Sequence, residues 1–167
     1  EMVRLAMRAA DEAGMRLMVH IGDRGIGGGP TITRELLPLL RAGDILTHLF
    51  TPNPGRILDG EGMVIRELLE AQERGVFLDT AFGQFNFSFD VARRALDQGV
   101  RPQSISTDLT VPGRRNTVHS LTEMLSRFLA LGFALEDVIR MATANPARAL
   151  GLDNKLGSLA VGREADV

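Results

Sequence analysis

The chain has 167 residues, 44% of them hydrophobic and 24% charged, which matches one ordinary globular domain able to bury a real core. Its Lys+Arg 19 against Asp+Glu 21 give a net charge of -2 spread along the chain, which excludes a nucleic-acid stripe and an acidic tail and leaves a small molecule as the expected partner. Without cysteine there are no disulfides, thiolate metal sites or cysteine nucleophiles, so any metal has to be held by histidine and carboxylate. No apolar run approaches the roughly 20 residues of a membrane span and no secretory signal opens the chain, so the sequence reads as cytoplasmic with no membrane partner.

In chain order, Val3, Leu5, Ala6, Ala9 and Ala10 make an amphipathic helical pattern that has no capping residue ahead of it. Val167 ends the chain inside an apolar-flavoured segment, and both ends read as cut from a longer protein. Four short segments rich in strand formers follow: Arg16 to Gly22, Asp44 to Phe50, Val76 to Ala81 and Ser104 to Thr110. Helical periodicity fills the intervals from Thr31 to Leu40, Glu61 to Arg74, Ser88 to Gln98, Val118 to Leu131 and Leu135 through Leu150. Pro38 interrupts the first of these helices, and Asp79 and Thr80 make the third strand unusually polar. Gly14, Gly43, Gly75 and Gly99 stand where a left-handed helix end is wanted.

Strands alternating with helices across short connections imply parallel βαβ units. Four such units make half of a (β/α)8 barrel or, alternatively, an open doubly wound sheet. The glycine run Gly25 to Gly29 does not fit a G-x-G-x-x-G phosphate fingerprint and is followed by Pro30, so it reads as an active-site loop rather than a phosphate cradle.

His20, His48 and Asp108 lie near the C-terminal ends of the first, second and fourth strands, which in a parallel barrel face one pocket. Imidazole nitrogen and carboxylate oxygen are the donors a zinc-like divalent ion accepts. Each residue alone also has a bland reading, as a core histidine or a turn aspartate; it is the repetition at three strand ends that favours a metal site. His119 reads as a surface or capping residue, and Asp79 either reaches the pocket or bonds neighbouring backbone. Arg24, Asn53 and Arg56 lie on loops after ligand-bearing strands, where they can bind a substrate carboxylate or simply face solvent. Phe82, Phe85, Phe87 and Phe89 alternate, to wall the pocket or to pack against the missing half of the barrel, packing being the expected role; Asn145 and Pro146 read as helix N-cap and first helical residue.

Taken in order, MVHIGD (Met18 to Asp23), ILTHLF (Ile45 to Phe50), SISTDLT (Ser104 to Thr110), ATANPARALGL (Ala142 to Leu152) and LGSLAVGREADV (Leu156 to Val167) resemble the amidohydrolase superfamily, in particular its dihydroorotase-like and deacetylase-like branch. The resemblance implies that residues 1–155 are the C-terminal half of a TIM-type hydrolase barrel, whose first strand here corresponds to the family's fifth. Residues 156–167 would begin the return to a small β-sandwich domain that is cut off. It implies a hydrolase of amide or ester bonds holding one or two divalent ions, zinc being the expected metal, with His20 and His48 as ligands and Asp108 as both ligand and proton shuttle. The substrate would be a small molecule with an amide or ester carbonyl, and a homo-oligomer is compatible with this reading.

The family's His-x-His and bridging lysine are not present, Lys155 lies past the barrel, and Phe82 stands where related deacetylase-like sequences often carry histidine. Two other readings therefore stay open: a non-catalytic remnant inactive by itself, and a metal-free barrel lyase, although the latter calls for a pocket lysine.

Overall fold

A computed structural model describes residues 2–22 and 32–164 of the chain. The glycine run and Arg24 lie outside the described residues. The first element is the helix α1 (Met2–Glu12), followed by the strand β1 (Met18–His20), a short α2 (Thr33–Leu36) and a 3-10 turn at Leu37–Leu39. Then come β2 (Ile45–Thr47), α3 (Arg66–Glu73), β3 (Phe77–Leu78), α4 (Phe89–Asp97), α5 (Val111–Asn116), α6 (Leu121–Ala130), α7 (Leu135–Ala142) and α8 (Ala144–Ala149). The strands form one parallel sheet in chain order, with Met18 opposite Ile45 and Ile45 opposite Phe77. This α/β architecture is consistent with part of a barrel.

The fourth expected strand is not a regular one. Its pairing is a single parallel bridge, Asp79 with Ser104, after which Phe82 N–H donates to Ser106 O and Gly83 N–H to Thr107 O. The Ser104 and Ser106 hydroxyls turn to a carboxylate on the neighbouring strand, so side-chain bonds take over where the ladder becomes irregular.

Pro38 acts as expected: without an N–H to continue the ladder, the helix tightens after four residues into the 3-10 turn. The stretch from Leu135 through Leu150 is two helices rather than one, broken at Thr143 (φ -129°, ψ -84°). Asn145 is not the N-cap. Thr143 holds that position, and the Asn145 side chain donates instead to the carbonyl of Gln103 at 2.9 Å, tying α8 to the segment that leads into Ser104. The six-residue α5 was hidden in sequence by its Pro and Gly; its start is set by Thr110, whose hydroxyl accepts from Gly113 N–H.

Both ends of β2 are buried, and the core runs from Ile21 and Leu36 through Leu46, Phe50, Leu68 and Leu78 to Phe128 and Met141. Phe82 and Phe87 stack at 3.9 Å between centroids, and Phe50 and Phe128 close around them, so these two rings pack inside this chain and not against a missing half; Phe85 alone among the four is exposed. On the opposite side α1 buries no residue, and Met2, Leu5, Met15 and Met18 leave an apolar surface beside β1.

Asp44 fixes the entry to β2. Its carboxylate accepts from Leu17 N–H at 3.1 Å and from Arg41 N–H and Nε at 2.9 and 3.2 Å, while Arg41 also pairs with Asp11 of α1. Burial would raise its pKa, but the Arg41 backbone and guanidinium donors and the Leu17 amide outweigh it and hold Asp44 below the usual carboxylate value. A lowered folded pKa gives stabilisation that is full above the unfolded value, about 3.9, and fades as pH falls through the folded one. Asp44→Ala should therefore cost about 1–3 kcal/mol at neutral pH, and the gap between wild type and variant in denaturant midpoint should narrow below about pH 4. A gap independent of pH would remove Asp44 from the acid response.

Candidate active site

His20 is the last residue of β1 and lies in register with Thr47, the last of β2, so His48 follows directly beside it. The two imidazoles meet edge-on, with centroids 4.3 Å apart and planes at 78°. Asp108 arrives from the irregular fourth segment and places Oδ2 3.9 Å from His48 Nε2. The structure thus brings together the three strand-end residues at the C-terminal edge of the sheet.

His48 is buried, and its Nδ1 lies 2.9 Å from Ala81 O. A carbonyl can only accept, so Nδ1 carries a hydrogen and Nε2 is the ring nitrogen that faces Asp108. Both residues have left-handed backbones, φ 64° at His48 and 46° at Asp108, a region that non-glycine residues rarely occupy and that is concentrated at functional sites.

The donor chemistry fits a divalent ion. Two ligands about 2.0–2.2 Å from one ion lie at most about 4.4 Å apart, and the 3.9 Å between Nε2 and Oδ2 falls within that limit. The Nδ1 bond to Ala81 is the kind of outer contact that orients a ligating imidazole. Among the described residues, no group of three His, Cys, Asp or Glu side chains is itself arranged to hold an ion.

Asp79, which sequence left between pocket and backbone, is buried and accepts four hydrogen bonds. Thr47 Oγ1, Ser104 Oγ and Ser106 Oγ donate at 2.6, 2.5 and 2.9 Å, and Ala81 N–H donates at 3.1 Å. It therefore clamps β2, β3 and the fourth segment together, and through Ala81 it borders the carbonyl that holds His48. An aspartate inside an otherwise apolar strand was the visible signal; its hydroxyl partners, on the two neighbouring strands, were not.

Of the substrate-binding candidates, Arg24 lies outside the described residues. Asn53 uses its side-chain amide on Phe85 O and Asn86 Oδ1, at 3.1 and 2.9 Å. Arg56 is exposed and reaches Leu58 O and Pro52 O, on a cleft it shares with Asp59 and Gly60. His119 sits at the start of α6, where Ser120 caps the helix and Glu123 accepts from His119 N–H. That amide and the Arg127 side chain lower the Glu123 pKa. Phe82, in the position that raised doubt about the loop after β3, is buried with Arg127 over its ring. Sequence reasoning missed Thr51 and Asn86, whose side chains meet at 3.1 Å beside the site; nothing in their spacing announced it.

The amidohydrolase family pattern matches residues 1–167. A deacetylase of Enterococcus faecalis is 35% identical over 153 residues, covering 90% of this chain and 40% of that protein. Among solved structures, an adenine deaminase is 32% identical with a TM-score of 0.89 over 98% of this chain and 44% of its own. A dihydroorotase is 34% identical with a TM-score of 0.77 over 90% of this chain and 38% of its own. The chain thus spans about two fifths of the length of the relatives it matches. Among the described residues no helix is long and apolar enough to cross a membrane. A pattern that runs the full length of the sequence, joined to backbones that superpose on two enzymes at about one-third identity, supports one conclusion: the chain belongs to the amidohydrolase family.

Proposed function

We propose that this chain carries part of the active site of a metal-dependent hydrolase that cleaves an amide or ester bond of a small molecule, of deacetylase or cyclic-amidase type. The observation that supports it is the convergence of His20, His48 and Asp108, with His48 locked so that Nε2 is the available donor. In this reading the βα units form one half of an eight-stranded barrel, residues 156–167 lead toward a further small domain, and the opposite half brings the remaining ligands. The family likeness and the donor set support zinc or a similar ion. When bound, such an ion lowers the pKa of water and polarises a carbonyl.

The chain's own residues do the rest. His20 and His48 hold the ion-binding edge. Asp108 Oδ2 takes the proton of the attacking water and returns it to the departing nitrogen or oxygen, and its exposure leaves room for substrate beside it. Arg24 and Arg56 are the candidate partners for a substrate carboxylate, and Asn53 braces its own loop against Phe85 and Asn86.

A second reading is favoured by the adenine deaminase likeness: the same proton transfer at Asp108 would serve loss of ammonia from an amidine carbon. The test is to assay the full-length protein on N-acyl amino acids, cyclic amides, acetyl esters of hydroxy acids and aminopurines. His20→Ala and His48→Ala should lower bound metal together with turnover, by more than the roughly 10–100-fold in affinity that losing an outer partner of a ligand costs. Full metal content in both variants, measured by elemental analysis, would remove these histidines from the ligand set.

A further inference from the structure

We infer that the side-chain amide of Asn86 is a substrate-binding donor set beside Asp108 over Gly83; this deepens the hydrolase reading and rests on it. The argument begins with which way each amide must point. Phe85 O is a carbonyl and only accepts, so the Asn53 atom 3.1 Å from it is Nδ2. The same Nδ2 lies 2.9 Å from the Asn86 side chain, which must therefore present its oxygen. Thr51 closes the circuit: its hydroxyl accepts from Asn53 N–H at 3.2 Å and donates to the same Asn86 oxygen at 3.1 Å. With Oδ1 held by two donors, Asn86 Nδ2 is turned to the other side, where no described residue accepts its hydrogens.

That other side is the backbone of Gly83, where the Asp108 carboxylate also lies. Gly83 is buried, with φ 53°, and a Cβ built there would overlap Asp108 Oδ2 and lie 3.7 Å from Asn86 Nδ2. Asp108 Oδ2 occupies the place a side chain at Gly83 would fill, so glycine at this point lets the carboxylate sit beside the aimed amide. Thr51, the anchor of the amide, is fully buried, and Gly22, just past β1, packs against it where a side chain would collide. The donor is thus held before substrate arrives, as a specificity contact requires. Its hydrogen bond goes to an acceptor oxygen of the acyl compound, close to the bond at which Asp108 moves its proton.

The experiment uses the full-length protein and two variants, Asn86→Asp and Asn86→Ala. The aspartate keeps an oxygen for Thr51 and Asn53, so the loop stays anchored while the amide donor is lost. Binding of the N-acyl amino acid and cyclic amide panel is measured by calorimetry on metal-stripped protein, and turnover with metal restored. Asn86→Asp is expected to weaken binding and kcat/KM by about 10–100-fold, with metal content and denaturant midpoint unchanged. Variants equal to wild type in binding and turnover overturn the role of Asn86 and leave the hydrolase reading standing. Wild type that binds without turnover, with binding lost in Asn86→Asp, supports Asn86 and overturns the hydrolase. Wild type that neither binds nor turns over any of the panel overturns both.

Discussion

Replacing Asp108 by Asn in the full-length protein is expected to lower turnover by about 10²–10⁴-fold while bound metal changes little. The substitution is selective for physical reasons. Asparagine tolerates the left-handed backbone that Asp108 occupies, at φ 46°, as readily as aspartate does, so the loop has no cause to move. It keeps an oxygen at a similar place but loses the basic carboxylate, so the proton of the attacking water has nowhere to go. Single-turnover rates and elemental analysis on one preparation separate the two effects. Near-normal turnover on a good substrate would end the assignment of Asp108 as shuttle, though not that of the fold.

Asp79→Ala should be the most destabilising single change near the site, by about 3–5 kcal/mol. The loss is not that of one contact. The hydroxyls of Thr47, Ser104 and Ser106 and the amide of Ala81 all lose the same buried acceptor, and alanine offers none in return. Asp79→Asn keeps one acceptor oxygen and nearly the same volume, so it should cost less. Urea midpoints for the three proteins test the ordering; an alanine variant as stable as the asparagine variant would mean that the hydroxyls find partners elsewhere.

Much of this was legible in sequence. Period and punctuation located the sheet and the main helices, because strand formers and helix-ending glycines act locally: the helix-to-strand glycines Gly43 and Gly75 both have the positive φ their positions require. The strand-end rule located His20, His48 and Asp108 because side chains at equivalent ends of parallel strands have to share an edge. What stayed hidden depends on partners far apart in the chain. The fourth strand failed as a regular strand because Ser104 and Ser106 bond Asp79, 25 and 27 residues away. Asn145 looked like a cap by its neighbours, but the carbonyl it bonds is 42 residues back. The direction of the Asn86 amide depends on a circuit through two residues of another loop, and no spacing encodes that.

The left-handed backbones at His48 and Asp108 set the folding preference of the chain against its chemistry. Each conformation carries a cost of about 1–3 kcal/mol that glycine would escape, yet the chain keeps an imidazole and a carboxylate at these two points. The Asp79 clamp beside them supplies rigidity against that cost, so a drift toward greater stability at either position would discard the very groups that face each other at 3.9 Å. A stability-based redesign of this molecule that ranked residues by backbone comfort alone would erase its proposed active site first.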